Sequence, residues 1–174
     1  MDVRYFLLLL LISTSLNSKA QEWTLIDSGA GLLIDFGEQK APKIIGRSTR
    51  WNFKELKEKG AFEGKLNGNQ LFAAWIQGPE TKEFINTKGK TVWLYKYIIV
   101  YPDGKKKVSE TLEFNNSGFS YFALNPENYT EGIWKIEWYL VSRDKAYENQ
   151  VATTIFEAIS DKTGNKGQYK IKIQ

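Results

Sequence analysis

Residues 132–142 read Gly132-Ile133-Trp134-Lys135-Ile136-Glu137-Trp138-Tyr139-Leu140-Val141-Ser142 and alternate in steps of two. Trp134, Ile136, Trp138 and Leu140 share one face. Lys135, Glu137 and Tyr139 share the other. A period of two marks a half-buried strand, and two tryptophans give its inner face a heavy core payload.

The same period extends outward from this strand. Thr91 to Tyr101 is rich in β-branched and aromatic residues, and Val108 to Phe114 follows it. Between them Pro102-Asp103-Gly104 supplies a turn: Pro fixes φ at the first corner, Asp bonds its own backbone and Gly accepts a positive φ. In the second strand Val108, Leu112 and Phe114 are expected on one side, with Ser109, Thr111 and Glu113 on the other. Further strands are expected at Leu32–Phe36, Leu71–Gln77, Phe119–Leu124 and Tyr147–Ile159, each bounded by turn-forming residues. One helix interrupts them. Asn52 can cap it, Glu55 sits three residues on, Trp51 can staple onto Leu56, and Gly60 can close the end. That helix spans Phe53 to Lys59 inside a polar, glycine-containing connection over 38–70.

About seven short strands with turn signals every 8–12 residues predict an all-β sandwich. Leu124-Asn125-Pro126-Glu127-Asn128-Tyr129-Thr130-Glu131-Gly132-Ile133-Trp134 resembles the E–F corner of immunoglobulin-like and fibronectin-like sandwiches. There a leucine and a proline precede a tyrosine, and Gly-x-Trp opens the next long strand. The stretch 70–159 also resembles uncharacterised exported bacterial domains of this shape. The resemblance implies an immunoglobulin-like antiparallel β-sandwich with one short helix in a long connection. It carries no activity and no site residues. Antibody domains differ outright, because the inter-sheet disulfide is absent. Gly132-Ile133-Trp134 also has the Gly-x-Trp form of lipocalins, which would make the chain an eight-stranded barrel. In lipocalins that motif opens the first strand, whereas here it comes late.

The first twenty residues read as an export leader. Asp2 and Arg4 precede the apolar run Tyr5 to Ile12, and Ser18-Lys19-Ala20 presents small side chains for cleavage before Gln21. The run is shorter than the roughly 20 residues a spanning helix needs. The expected organisation is a leader over 1–20, a sandwich domain over 21–159 and a basic tail over 160–174 that can add an edge strand. The expected location is extracytoplasmic, periplasmic or secreted, without stable membrane insertion.

Composition narrows the chemistry. The chain has 174 residues with no cysteine and no histidine. Thiol, Ser-His-Asp and ordinary zinc chemistry are therefore excluded, and carboxylates, Lys, Tyr, Ser and Thr remain. No cofactor is expected, and the chain reads as a non-enzyme. The net charge of +4 is mild, and its lysine clusters (105–107 and 162–172) read as a solvated turn and tail rather than a nucleic-acid surface.

The Thr91–Tyr101 strand has two apolar faces. Trp93, Tyr95, Tyr97, Ile99 and Tyr101 lie on one, and Val92, Leu94, Lys96, Ile98 and Val100 on the other. If Lys96 marks the solvent side, the aromatics are core. Otherwise Trp93, Tyr95 and Tyr97 form an exposed platform near Tyr139, able to stack on sugars or to anchor a protein partner. Glu113, Glu137 and Glu157 fall on strands, and no two of them stand out as a hydrolytic pair. Asn115-Asn116-Ser117 and Asn128-Tyr129-Thr130 fit the glycan-acceptor pattern. The functional expectation is a binding or structural module whose partner is a protein or an envelope glycan. The alternatives are a lipocalin-like carrier of small apolar ligands and a carboxylate-dependent glycan hydrolase.

Overall fold

The computed structural model describes residues 22–34, 41–58, 70–124 and 130–160. The expected leader over 1–20, Phe36, Gly60, much of the 38–70 connection, Asn128 and the tail beyond Ser160 lie outside the described residues. The strands are β1 (Asp27–Ile34), β2 (Lys43–Arg47), β3 (Arg50–Asn52), β4 (Gln70–Gln77), β5 (Trp93–Val100), β6 (Lys106–Val108), β7 (Leu112–Glu113), β8 (Phe119–Ala123), β9 (Gly132–Ser142) and β10 (Glu148–Ile159). One short helix, α1, spans Phe53–Glu58. The strands form two sheets, β2-β1-β4-β8 and β3-β10-β9-β5-β6, with β7 also pairing β5. Neither sheet closes on itself. The all-β sandwich is therefore the architecture, and the eight-stranded barrel is not.

β9 lies in the middle of the six-stranded sheet, antiparallel to both β5 and β10. Trp134, Ile136, Trp138 and Leu140 are buried, as their alternation requires. Facing them across the core are Phe72, Ala74 and Ile76 of β4. Aromatic edges and stacks join the two sheets. Phe72 meets Trp51 at 5.0 Å, Phe53 at 5.1 Å and Phe156 at 5.6 Å between ring centroids, and Phe156 stacks on Trp134 at 6.1 Å. Helix α1 closes one side of this cluster with Phe53 and Leu56. The Asn52 side chain caps it by accepting the Glu55 N–H at 3.1 Å.

Two features differ from the expectation, and a third is one the apolar pattern left open. First, the sandwich is not wholly antiparallel, because β3 pairs parallel to β10. β2 and β3 are separated only by Ser48 and Thr49, so the chain leaves one sheet and joins the other within two residues. The Glu157 N–H then bonds the Thr49 carbonyl at 2.7 Å, and the Trp51 indole bonds the Ser48 carbonyl at 2.7 Å. Second, the strand after the Pro102 turn is broken. Ile98 faces Val108, but Tyr95 faces Leu112, so one extra residue enters between β6 and β7. Such a bulge flips the side-chain faces. Val108 is 59% exposed while Phe114 is buried, so the two do not share a side. Third, β4 is buried on both faces. Ala73 and Trp75 pack with Leu33 and Phe119 on the side away from the main core.

On that outer side, Asp27 accepts hydrogen bonds from the Trp75 indole at 2.9 Å and from Arg47 at 2.5 Å. The Arg47 guanidinium lies 5.0 Å over the Trp75 ring. Gly29 permits this, since a Cβ there would stand 2.8 Å from the Trp75 ring. Burial of Asp27 opposes its ionisation, but the hydrogen bonds from Arg47 and Trp75 and the Arg47 charge outweigh it and hold its pKa below the ordinary aspartate value. A carboxyl whose folded pKa is depressed contributes stability above its unfolded pKa and loses it as pH falls through the folded value. The melting temperature should therefore hold from neutral pH down to about 5 and fall below about pH 4. Asp27→Asn should flatten that acid fall and cost about 1 kcal/mol at neutral pH, a charged hydrogen bond discounted for its partial exposure. Thermal melts of both proteins from pH 3 to 7 check this.

Candidate functional site: an aromatic groove at one end of the sandwich

β5 and β9 run antiparallel with Trp93 opposite Ser142, which sets the first residue of β5 beside the turn that leaves β9. That turn, residues 143–146, is tightly organised. Lys145 takes a positive φ of 62°, uncommon for a residue other than glycine. Its N–H bonds the Ser142 carbonyl at 2.8 Å. Asp144 Oδ1 accepts the Ser142 hydroxyl at 2.5 Å and the Ala146 N–H at 3.1 Å, and Ser142 Oγ accepts the Tyr147 N–H at 2.9 Å. The Ser142 hydroxyl first, then the Ala146 N–H, hold the Asp144 pKa below its ordinary value, so the group is a carboxylate at neutral pH.

The segment entering β5 is shaped in the same manner. Asn86 Oδ1 accepts the backbone N–H groups of Lys88 at 2.9 Å and Lys90 at 3.1 Å, and Gly89 turns the chain at φ 72°. Val92 N–H bonds the Phe84 carbonyl at 2.7 Å. Arg143 locks the two loops together. Its backbone N–H bonds the Val92 carbonyl at 2.9 Å, its Nε bonds the Thr91 carbonyl at 2.6 Å, and its Nη2 pairs with Glu113.

Between the loops lies an open groove of about 490 Å³, lined by Asn86, Trp93, Arg143, Asp144 and Tyr147 among others. Trp93 and Tyr147 meet edge to face with centroids 5.5 Å apart. Their polar atoms are uncommitted. The indole N–H groups of Trp51, Trp75, Trp134 and Trp138 each reach an oxygen of the protein, at 2.7, 2.9, 3.0 and 3.1 Å. The Trp93 N–H has no partner among the described residues. No buried side-chain nitrogen or oxygen is left unsatisfied there, so this N–H meets solvent. The Asn86 amide nitrogen, the second Asp144 oxygen and the Tyr147 hydroxyl likewise make no bond among the described residues.

The four residues proposed from sequence as a binding surface are not brought together. Tyr95 is 6% exposed and packs on Phe114 at 4.9 Å. Tyr97 packs on Trp138 and Phe122 at 5.4 and 5.1 Å. Both point into the core, so the flat exposed platform does not form. Tyr139 lies on the opposite face of the sheet, opposite Lys96, whose ammonium sits 5.4 Å from its ring. Lys96 thus marks the solvent side. Trp93 shares the inward face, but being first in β5 it emerges at the rim. Asn86, Arg143, Asp144 and Tyr147 were not singled out from sequence. Residues 143–146 fall between two expected strands as turn-forming residues, and nothing local says which distant loop they meet.

The strand carboxylates are each paired with a base: Glu113 with Arg143, Glu137 with Lys135 at 2.6 Å, and Glu157 with Arg50 at 3.0 Å. Among the described residues no three acidic side chains gather as a metal site, and no helix is long and apolar enough to cross a membrane. A second notch of about 340 Å³ lies beside Ser28, Arg47 and Thr153, without an aromatic wall and with Arg47 already held by Asp27. No protein-family model matches the chain, and no curated protein or solved structure does.

Proposed function

We propose that the chain is an exported, non-catalytic binding module that takes its partner at the loop end of an immunoglobulin-like sandwich. The immunoglobulin reading is supported by strand order. β1-β4-β8 facing β10-β9-β5-β6 follows the A-B-E and G-F-C-C′ arrangement of that fold, with β3 as a short first-strand extension beside the last strand. In that arrangement the loops 78–92 and 143–147 correspond to the B–C and F–G connections, which variable domains use for recognition. The non-catalytic reading rests on the residue inventory, which lacks histidine and cysteine. Export rests on the leader pattern of residues 1–20, and the processed product should begin at Gln21.

The observation that carries the reading is the groove itself. An aromatic edge and several uncommitted hydrogen-bonding groups face water, while Asn86 Oδ1, the Ser142 hydroxyl, Arg143 and Asp144 Oδ1 are spent on holding the two loops in place. Pre-organised loops with free polar tips lower the ordering cost of binding. The test compares immobilised wild-type protein with Trp93→Ala and Tyr139→Ala against an extract of the outer compartment, with circular dichroism as the folding control. Trp93→Ala should lose at least about tenfold in retention, the scale of one hot-spot residue. Tyr139→Ala should retain like wild type. Equal retention by Trp93→Ala, or loss confined to Tyr139→Ala, would refute the groove as the site.

A further inference from the structure

We infer that the ligand of the Trp93 groove is an uncharged glycan, held with one pyranose ring against Trp93. The inference rests on the binding-module reading above and deepens it. Its argument is a match of chemistry to the free groups.

The groove offers three open donors: the Trp93 indole N–H, the Asn86 amide and the Tyr147 hydroxyl. The free Asp144 oxygen offers an acceptor. A ligand must therefore supply several acceptors and at least one donor, arranged around an apolar face that suits an aromatic wall. Sugar hydroxyls do both at once, and the axial C–H groups of a pyranose provide the apolar face.

Charge excludes the neighbouring classes. Arg143 is the one cation among the described residues lining the groove, since Lys88, Lys90 and Lys145 of the same loops do not line it, and Arg143 is committed to Glu113 and to the Thr91 carbonyl with its side chain only 29% exposed. An anionic ligand would face the Asp144 carboxylate without a free guanidinium fork to receive it. A cationic ligand would leave the open donors facing no acceptor. It would also lack an aromatic cage, since Trp93 and Tyr147 meet edge to face rather than as two parallel walls. An extended peptide is recognised through a ladder on a sheet edge, with pockets for alternate side chains. The groove instead presents separated side-chain groups between two loops. Its volume of about 490 Å³ lies within the range of small-ligand sites.

The test is a ¹⁵N-resolved titration of the Trp93 indole resonance in the whole processed protein. The probes are cellohexaose, chitohexaose, maltohexaose and mannohexaose, with hexagalacturonate as the acidic probe, choline as the cationic one and a peptide selected on the protein from a phage-displayed library as the peptide arm. At least one neutral oligosaccharide should shift the Trp93 signal saturably. Measured by titration calorimetry with the same oligosaccharide, Trp93→Ala should abolish that binding, and Trp93→Phe, which keeps a ring but removes the N–H, should weaken it about tenfold. Tyr147→Phe should weaken it several-fold, and Asp144→Asn should weaken it while the fold is kept. If no neutral oligosaccharide shifts the resonance, the glycan inference is overturned. A shift by peptide or by hexagalacturonate alone would overturn it while leaving the binding-module reading intact. That reading instead falls if the Trp93→Ala protein still retains partners from the extract.

Discussion

Trp138→Ala should remove about 3–5 kcal/mol of stability, the range for deleting a buried large aromatic. Trp138 is wholly buried at the middle of β9. Its ring packs against Tyr97 at 5.4 Å and Tyr95 at 6.3 Å, and its indole N–H bonds the Thr154 hydroxyl at 3.1 Å. Truncation opens a cavity between the sheets and leaves that hydroxyl without its donor. Domains of this size are stable by about 5–15 kcal/mol, so the variant should lie close to the unfolding threshold. Trp138→Phe separates the two contributions. It keeps most of the ring and strands only the Thr154 oxygen, so about 1–3 kcal/mol is expected. Urea denaturation of the three proteins measures this. A loss under about 1 kcal/mol for Trp138→Ala would mean that the two sheets do not meet at this residue.

The second large effect is expected at Gly118. Its φ is 70°, and a Cβ there would stand 2.0 Å from the Pro79 carbonyl oxygen and 2.5 Å from that of Gly78. These are backbone atoms, and Gly78 is itself tied to Gly118 by an N–H to carbonyl bond of 3.0 Å. Gly118→Ala therefore combines the left-handed penalty of about 1–2 kcal/mol with a collision of the size of core overpacking, about 2–4 kcal/mol in total. Gly104 is the control. Its φ is 82°, yet no atom lies within 4 Å of a Cβ placed there. Gly104→Ala should cost about 1 kcal/mol, the conformational part alone. The difference between the two variants measures how closely the 114–118 and 78–81 loops approach at the groove end. Equal costs would place them further apart.

Much of the architecture was legible because local chemistry and burial agree. The β9 alternation survives because both of its neighbours are antiparallel and one face of its sheet is solvated. Asn52 caps α1 because its carboxamide finds the Glu55 N–H three residues on. Pro102-Asp103-Gly104 turns because Asp103 accepts the Lys105 N–H at 3.0 Å and Gly104 takes the positive φ. What was not legible depends on distant partners. The switch from β2 to β3 has no local signature, since Ser48 and Thr49 look like any loop. The bulge beyond Val108 adds one residue to a strand whose period otherwise continues, so alternation placed Val108 with Phe114. The continuous apolar run of β4 does reflect burial on two faces, but what packs on each face is set by Leu33 and Phe119, far along the chain.

The groove was half legible. Trp93 was among the residues read as a binding surface, and so were Tyr95 and Tyr97, which share its parity. Alternation assigns a face but not a depth. Tyr95 and Tyr97 lie under the opposite sheet, while Trp93 stands at the rim only because β5 begins there. The second aromatic, Tyr147, enters through the Trp93–Ser142 register, which no single-sequence pattern specifies.

Solvent exchange of the indole protons tests the groove most directly. With all six tryptophan side chains ¹⁵N-labelled and assigned, the N–H groups of Trp51, Trp75, Trp134 and Trp138 should be protected, because each is given to a protein oxygen. The Trp93 proton should exchange far faster than these four under conditions where the protein stays folded. Protection of Trp93 at the level of Trp138 would mean that its edge is closed off from water, and the loop-end site would have to be abandoned.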